Sequence, residues 1–207
     1  MGTEFIDRVF ATQTPEGQQE IYDEWSATYE AEVFANGYRT PAVIAAAFAR
    51  YVTPGAGPIL DAGCGGGLVC EPLALLGYGP LTGLDISKGM LSVAKAKGIY
   101  QQLLNRPLDG DLPFDDGVFD AIISAGVLSP GQAPPEAIGE LARVTRKGGY
   151  CVFSLRGGNR TTNAYGDLCD ALTRQGIWQP VHSTGNFQVM PIAEPDGWHE
   201  VRVYRLC

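Results

Sequence analysis

The sequence predicts a single α/β domain in which a seven-stranded, mostly parallel sheet carries helices on both faces and ends in an antiparallel hairpin. Five short apolar runs alternate with helix-like segments, which is typical of parallel strands joined by crossover helices. A glycine-rich turn follows the first of these runs. Two further β-rich runs close the chain, and the loop between them contains two prolines and a glycine. These three observations together favour an open α/β sheet with an antiparallel edge.

Composition and net charge limit the kinds of molecule that this chain is expected to bind. A chain of 207 residues with 45% hydrophobic and 18% charged residues is typical of one globular domain with a substantial core. Its net charge of −8 lacks the basic surface of a nucleic-acid binder or a polybasic membrane anchor. We therefore expect a small-molecule partner, no nucleic acid and no membrane, in a monomer or homodimer.

Cysteine and histidine usage favours a reduced protein without a metal. The five cysteines are odd in number and form no Cys-x-x-Cys pair, and His182 and His199 are the two histidines. Residues 1–14 lack the pattern of a signal peptide, and no apolar run approaches the roughly 18 residues that span a bilayer. These features predict a cytoplasmic location.

Residues 1–40 are expected to form an N-terminal arm and a helical lid, ahead of an α/β core over residues 41–207. Residues 1–15 suggest a weakly structured arm, whereas a helix is predicted from Glu16 because apolar and aromatic residues recur at spacings of three and four. Tyr22, Trp25 and Tyr29 lie in this helical stretch. Their side chains either pack onto the core or close over a bound ligand. A second helix is predicted after Asn36-Gly37, capped by Thr40.

The glycine turn is the first predicted ligand-binding element. Residues 58–68 give a buried strand ending at Asp61, then glycines at positions 63, 65 and 67, then the start of a helix. Glycine allows a ligand to lie against the backbone, beside the free N–H groups of a helix N-terminus. Asp61 would repel a phosphate, so its charge favours a cationic or amine-bearing cofactor.

A second acid lies at the end of the next predicted strand, residues 81–86. Asp85 lies 18 residues beyond Gly67, near the separation at which α/β nucleotide sites place a ribose-binding carboxylate. Ile86 could then pack on an adenine ring. The alternative is that Asp85 caps the helix that begins near Ser87.

The remaining elements follow from periodicity and glycine stops. Helices are predicted over residues 68–76, 87–97, 135–145 and 165–175, and strands over residues 99–104, 121–124, 150–155, 178–190 and 199–206.

The motif Asp61-x-Gly63-x-Gly65-x-Gly67 resembles the first motif of class I S-adenosylmethionine (SAM) methyltransferases. The run Leu112–Asp120 and the turn Arg146–Gly149 are similar to segments before the fourth and fifth strands of that family. Within it, the sequence resembles the Williams–Beuren-region methyltransferase-like group. The matching segments are Tyr22-Asp-x-Trp25-x-x-x-Tyr29, Tyr38-Arg39-x-Pro41, Ile99-Tyr100-Gln101, Leu128-Ser129-x-Gly131-Gln132, Asn163-x-Tyr165 and Gly176-Ile177-Trp178.

The resemblance implies a Rossmann-like fold, SAM as the cofactor and methyl transfer to a small molecule. The residues expected to hold the cofactor are Tyr29, Arg39, Asp61, Gly63, Cys64, Gly65, Gly67, Asp85, Ile86, Leu108, Asp109 and Ala125. Those expected on the substrate side are Tyr22, Trp25, Ser129, Gln132 and Arg156.

The adenine loop departs from the family pattern. Where the family commonly carries an acid that binds the adenine amino group, this chain has Pro107. Leu108 is then expected to offer its backbone N–H to the ring, with Asp109 as the substitute if the loop shifts.

Several polar residues have two interpretations. Ser129 and Gln132 could orient a substrate or cap the next helix, and Arg156 and Arg160 could hold an anionic substrate or be solvated. No catalytic base is assigned, because His182 on the predicted sixth strand fits a packing or surface residue better. No Asn/Asp-Pro-Pro-Tyr motif occurs, which argues against methylation of base amino groups.

Two other functions remain open beside methyl transfer. One is a SAM-binding protein of the same fold that transfers no methyl group and serves as a regulatory or partner-binding module. The other is a nicotinamide oxidoreductase, which the glycine spacing and Asp61 disfavour.

Overall fold

The computed structural model describes residues 4–12, 14–157 and 163–207. Its helices are α1 Glu4–Ala11, α2 Pro15–Trp25, α3 Tyr29–Ala35, α4 Thr40–Tyr51, α5 Cys70–Leu75, α6 Lys88–Lys97, α7 Ala137–Val144 and α8 Asn163–Arg174. Its strands are β1 Ile59–Ala62, β2 Leu81–Asp85, β3 Gln102–Asn105, β4 Phe119–Ser124, β5 Thr145–Gly157, β6 Trp178–Ser183, β7 Phe187–Met190 and β8 Glu194–Leu206.

The strands form one mixed sheet in the order β3-β2-β1-β4-β5-β8-β6, with β7 paired to β8. Strands β1 to β5 are parallel, whereas β8 runs antiparallel to β5, β6 and β7. The predicted fold class, a mostly parallel sheet with an antiparallel C-terminal hairpin, is confirmed.

Each face of the sheet buries its own apolar cluster. Alternation along β1 sends Leu60 and Ala62 to the face covered by α7 and α8, and Ile59 to the face covered by α4 and α5. All three side chains are fully buried. Helices therefore cover both faces, as the sequence predicted.

The C-terminal region differs in detail from the predicted two-strand hairpin. Residues 178–190, expected as one strand, divide into β6 and β7 around a turn in which Gly185 has a φ of +69°. Strand β8 starts at Glu194 rather than His199 and is 13 residues long. Because β8 is long enough to pair with both β6 and β7, the described sheet has eight strands rather than seven.

The prediction of a weakly structured arm was wrong for residues 4–11, which form α1. Ile6 and Val9 lie three residues apart, so both reach one face of the helix, and both are buried. Phe5 stacks on Trp25 of α2, with ring centroids 5.4 Å apart. Contacts with the following helix therefore stabilise a segment too short to be helical alone.

The start of α4 also differs from the prediction. Thr40 is the first helical residue, Arg39 occupies the N-cap position, and no side chain caps the helix there. Pro41 does lie in the first turn, as predicted. The Arg39 backbone N–H donates to the Val189 carbonyl at 2.9 Å and so ties the start of α4 to β7.

Candidate functional site

A large cavity lies at the carboxyl ends of β1, β2 and β4, where open α/β sheets bind their ligands. Helices α1 to α3 and the β7–β8 hairpin form its other walls. The space between its walls is about 1250 Å³, a volume that includes open solvent at its mouth. The side chains around it are mainly apolar, with a few polar groups among them, which is typical of small-molecule sites.

The glycine turn after β1 adopts a backbone that side chains disfavour. Gly63 and Gly65 have φ angles of +77° and +51°. A β-carbon on Gly63 would collide with Val127, whereas one on Gly65 would meet nothing within 4 Å. The backbone N–H groups of Gly63 and Cys64 donate to the Leu84 carbonyl at 2.8 and 2.9 Å. Gly65 thus presents bare backbone to the cavity that it lines.

Asp85 lines the cavity and organises the loops around it. Its Oδ2 accepts the Gly65 N–H at 2.8 Å, and its Oδ1 accepts the Ser87 N–H at 2.9 Å. Burial raises the pKa of this carboxyl, and the two backbone donors partly oppose that shift. The cap of α6 is Ser87, whose hydroxyl accepts the Met90 N–H at 3.0 Å. Asp85 therefore supports the turn before α6 but is not itself the helix cap.

Asp61 lies at the end of β1 but outside the cavity lining. Only 1% of the residue is exposed, and its Oδ2 accepts the Tyr100 hydroxyl at 2.6 Å. Burial raises the pKa of Asp61 to about 6, and the bond from Tyr100 opposes the shift. The two strand-end acids therefore differ in position: Asp85 faces the cavity and Asp61 lies in the protein interior.

The other predicted cofactor residues also divide into those that line the cavity and those that do not. The remaining predicted residues on the cavity wall are Tyr29, Gly63, Ile86, Leu108 and Ala125. Those outside the lining, besides Asp61, are Arg39, Cys64, Gly67 and Asp109. The bonds of Gly67 and Asp109 are local: the Gly67 N–H donates to the Cys64 carbonyl at 2.9 Å, and Asp109 Oδ1 accepts the Asp111 N–H at 3.1 Å. Arg39 and Cys64 instead donate their backbone N–H groups to the distant carbonyls of Val189 and Leu84. The assignment of all these residues to the cofactor, on the wall or outside it, stays a prediction.

The aromatic side chains of the lid both pack together and line the cavity. Trp25 and Tyr29 meet edge to face with centroids 4.7 Å apart, and the Tyr22 ring lies 6.1 Å from that of Trp25. The Trp25 indole N–H donates to Glu32 at 3.1 Å. Because all three rings also reach the cavity, the two interpretations of this segment do not exclude each other.

A polar chain links the lid to the loop after β4. Gln132 donates to the Tyr22 hydroxyl at 3.1 Å, and Ser129 donates to Gln132 at 3.3 Å. Burial raises the pKa of Tyr22, so its hydroxyl stays protonated. All three side chains line the cavity, as does Arg156. Arg160, the second predicted anion-binding arginine, lies outside the described residues.

Sequence reasoning missed His199 and Glu194, which line the cavity from β8. His199 pairs with Arg156 across the β5–β8 ladder, and Arg156 lies 3.6 Å from Glu194. Burial and the charge of Arg156 lower the pKa of His199 to about 4. No local sequence signal marks either residue, since their position follows from an antiparallel register. His182, by contrast, contacts the Tyr51 ring outside the cavity.

Two negative findings concern the described part of the chain. No group of three or more metal-ligating side chains occurs in residues 4–12, 14–157 and 163–207. Within those ranges, no helix is both long enough and apolar enough to cross a bilayer.

Comparison with known proteins agrees with this architecture. Residues 60–153 match the family model described as a methyltransferase domain. Methyltransferase-like protein 27 of Homo sapiens is 36% identical over 166 residues, which are 77% of this chain and 67% of the relative. A ubiquinone biosynthesis O-methyltransferase of Alkalilimnicola ehrlichii is 36% identical over 115 residues, which are 52% of this chain and 44% of the relative. This chain therefore spans two thirds of the human relative and less than half of the bacterial one.

A solved structure shows the same fold at lower sequence identity. Magnesium protoporphyrin IX methyltransferase of Synechocystis PCC 6803, solved with bound SAM, matches over 81% of this chain and 79% of its own. The TM-score is 0.60 and the identity 20%, so this likeness concerns the fold. The match to the human relative covers two thirds of that protein at 36% identity, and this match shows the family to which the chain belongs. The chain belongs to the class I, SAM-dependent methyltransferase family, in the group of methyltransferase-like protein 27.

Proposed function

We propose that this chain binds SAM and transfers its methyl group to a small-molecule acceptor. The observation that carries the proposal is the contact between Gly65 and Asp85 on the cavity wall. Gly65 leaves open space where other residues have a β-carbon, and the carboxylate beside it can accept further hydrogen bonds. Family membership supplies the reaction class.

The residues around the cavity fit SAM in chemical character. Each oxygen of Asp85 accepts one backbone N–H and keeps lone pairs for ribose hydroxyls. Ile86 and Leu108 offer apolar surface to the adenine, and Tyr29, Gly63 and Ala125 line the rest of the proposed cofactor side. Arg39, Asp61, Cys64, Gly67 and Asp109, which are not among the lining residues, complete the proposed set.

Positioning is the contribution that this chain can make to the chemistry. When bound, SAM supplies a methyl group activated by a sulfonium. In-line positioning of reactants can lower a barrier by about 7–11 kcal/mol in favourable systems. We assign the orientation of the acceptor to Trp25, Arg156 and the linked side chains Tyr22, Gln132 and Ser129. The rings of the lid would exclude water from this space.

The second candidate function is SAM binding without methyl transfer, in a regulatory or partner-binding module. The observation that favours it is Pro107, which lines the cavity where the family resemblance expects an acid. Both candidates require SAM binding, so they differ only in turnover.

Calorimetry with SAM, S-adenosylhomocysteine and NADH tests the cofactor first. We expect both adenosyl compounds to bind and NADH not to bind. Binding of NADH but of neither adenosyl compound would contradict both candidate functions and would support a nicotinamide oxidoreductase instead.

Replacing Asp85 tests the ribose assignment. We expect Asp85→Ala to weaken SAM binding by about 1–3 kcal/mol, because charge-assisted hydrogen bonds are lost and the Gly65 N–H loses its partner. The measurement is calorimetry on a variant whose thermal unfolding confirms that it folds. Asp115→Ala, which removes an exposed carboxylate, is the matched control. Equal SAM affinity in the folded Asp85 variant and the wild type would refute the assignment.

Transfer of a labelled methyl group into a metabolite extract separates the two candidates. An enzyme labels a specific compound and thereby identifies the acceptor. A SAM-binding module labels no compound, even when the protein is saturated with SAM.

A further inference from the structure

We propose that the acceptor is a neutral molecule with an apolar body and a hydroxyl group, and that the imidazole of His199 binds this hydroxyl. The inference rests on the proposed function, since it concerns the acceptor side of the same cavity. Three features carry it: an unpartnered buried nitrogen, the balance of charge around that nitrogen, and the apolar wall beside it.

The first feature is the Nδ1 atom of His199. It is buried and has no hydrogen-bond partner among the residues that the structure describes. The residue lies on β8 between Arg156 of β5 and Phe187 of β7, and it lines the cavity. An unmade hydrogen bond on a buried nitrogen costs free energy that a ligand in the cavity can recover.

The second feature is the charge around His199. Arg156 faces it from β5, and Glu194 lies at the start of β8, with Arg156 and Glu194 3.6 Å apart. Burial and Arg156 lower the pKa of the imidazole to about 4, so the ring is neutral at neutral pH. From the helical and loop sides of the cavity, the ionisable groups are Asp85 and the tyrosines 22, 29 and 38.

This balance argues against a strongly anionic acceptor. The positive charge of Arg156 faces the carboxylate of Glu194, and His199 adds none. A carboxylate in the acceptor would meet the carboxylate of Glu194 in a largely apolar cavity. The earlier interpretation of Arg156 as an anion-binding residue is therefore not the one we favour.

A hydroxyl is the group that suits a neutral imidazole best. Neutral imidazole has one nitrogen that donates and one that accepts. A hydroxyl can donate or accept, so it satisfies Nδ1 in either tautomer. An ammonium only donates and a carboxylate only accepts, so each suits one tautomer alone.

The third feature is the apolar wall of the cavity, which indicates that the body of the acceptor is apolar. Six buried side chains of the lid and of β7 both line the cavity and belong to one apolar cluster: Ile6, Val9, Trp25, Val33, Val189 and Met190. Because β7 pairs with β8, Val189 and Met190 lie on the same hairpin as His199. The hairpin therefore offers an apolar surface and a polar anchor to one ligand.

The test uses three probes that share a butylphenyl body: 4-butylphenol, 4-butylanisole and 4-butylbenzoate. We expect the phenol to bind at least fivefold more tightly than either the anisole, whose hydroxyl is blocked, or the anionic benzoate. In the His199→Phe variant, we expect the affinity for the phenol to fall at least fivefold and the affinity for the anisole to stay unchanged. His182→Phe, on β6 outside the cavity, is the matched control.

A second readout uses the wild-type protein and needs no variant to fold. The chain has two histidines, so imidazole NMR signals of His182 serve as an internal control for those of His199. We expect 4-butylphenol to shift the His199 signals and to leave those of His182 in place.

Three outcomes would overturn the proposal: no phenol binding at millimolar concentration, equal or tighter binding of the anisole or benzoate, or unshifted His199 signals. Because these experiments omit SAM, their failure leaves the calorimetric test of SAM binding intact. Conversely, a protein that binds the phenol through His199 but not SAM would contradict the proposed function alone.

Discussion

The carboxylate of Asp61 is buried beneath the glycine turn, with the Tyr100 hydroxyl 2.6 Å from Oδ2. Hydrogen bonds from the side chains of Tyr100 and Cys70 do not replace the hydration that an ionised carboxylate loses on burial. This is why burial raises the pKa of Asp61 from 3.8 to about 6. At the scale of one residue, then, an ionised Asp61 lowers the stability of the fold at neutral pH.

We expect Asp61→Asn to remove this pH dependence. A carboxyl whose pKa is raised on folding binds protons more tightly in the folded state, so stability falls as pH rises from about 4 to 6. The rise in the pKa of Asp61 from 3.8 to about 6 corresponds to about 3 kcal/mol of lost stability by pH 7. The measurement is the free energy of unfolding of ligand-free wild type and variant, by denaturant titration between pH 4 and 7.

The difference between the two proteins isolates Asp61. The lowered pKa of His199 acts in the same pH window with the opposite sign, but wild type and variant share it. Asp115→Asn, at an exposed carboxylate, should follow the wild type at every pH. Identical pH profiles for Asp61→Asn and the wild type would show that Asp61 does not contribute.

At the scale of elements, polar contacts at both ends of α6 join this helix to the lid. Asp23 of α2 accepts the Ser87 hydroxyl at 2.6 Å and the Gly89 N–H at 2.8 Å, at the start of α6. Lys97 at the end of α6 pairs with Glu30 of α3 at 2.8 Å. Helix α6, which begins just after Asp85, therefore holds α2 at its start and α3 at its end.

We expect Asp23→Ala to loosen the lid. The variant loses two hydrogen bonds to a charged acceptor, each worth about 1.5–3 kcal/mol and less where water competes. Amides of α1 to α3 should exchange with solvent about tenfold faster or more, as measured by hydrogen–deuterium exchange, while those of β4 and β5 keep their protection.

The matched control is Glu20→Ala, which removes an exposed carboxylate from the same helix. Equal protection of the lid amides in the two variants would show that Asp23 does not hold α2 against α6.

At the scale of the whole molecule, an aromatic stack joins the antiparallel end of the sheet to the core. The Trp178 ring of β6 lies 4.2 Å from that of Tyr204 on β8, and the Tyr204 ring lies 5.5 Å from that of Phe153 on β5. The Trp178 indole N–H donates to the Cys169 carbonyl of α8 at 3.2 Å. The stack therefore holds β8, which carries His199, at a fixed position relative to β5.

We expect Trp178→Ala to destabilise the fold by about 3–5 kcal/mol, because it leaves a cavity among fully buried side chains. Denaturant unfolding followed by circular dichroism measures the loss. Trp198→Ala is the matched control, since 37% of Trp198 is exposed, and it should cost far less. Equal losses at the two tryptophans would contradict this account of the core.

Much of the fold was predictable because it depends on local patterns. Apolar runs predicted β1, β2, β4 and β5, and the glycine at position 98 predicted the end of α6. The predicted ligand edge at the carboxyl ends of the strands is where the cavity lies. The family resemblance, read from the glycine turn and the segments around it, is confirmed by the match to the human relative.

The sequence by itself determined the fold class, the family and the backbone of the glycine turn, because each depends on residues close together along the chain. Only the tertiary structure decided which acid faces the cavity, since strand alternation and packing against Tyr100 turn Asp61 inward and leave Asp85 on the wall. It also decided that His199 and Arg156 meet. That contact depends on the antiparallel register of β8 on β5, and no periodicity within either strand encodes it.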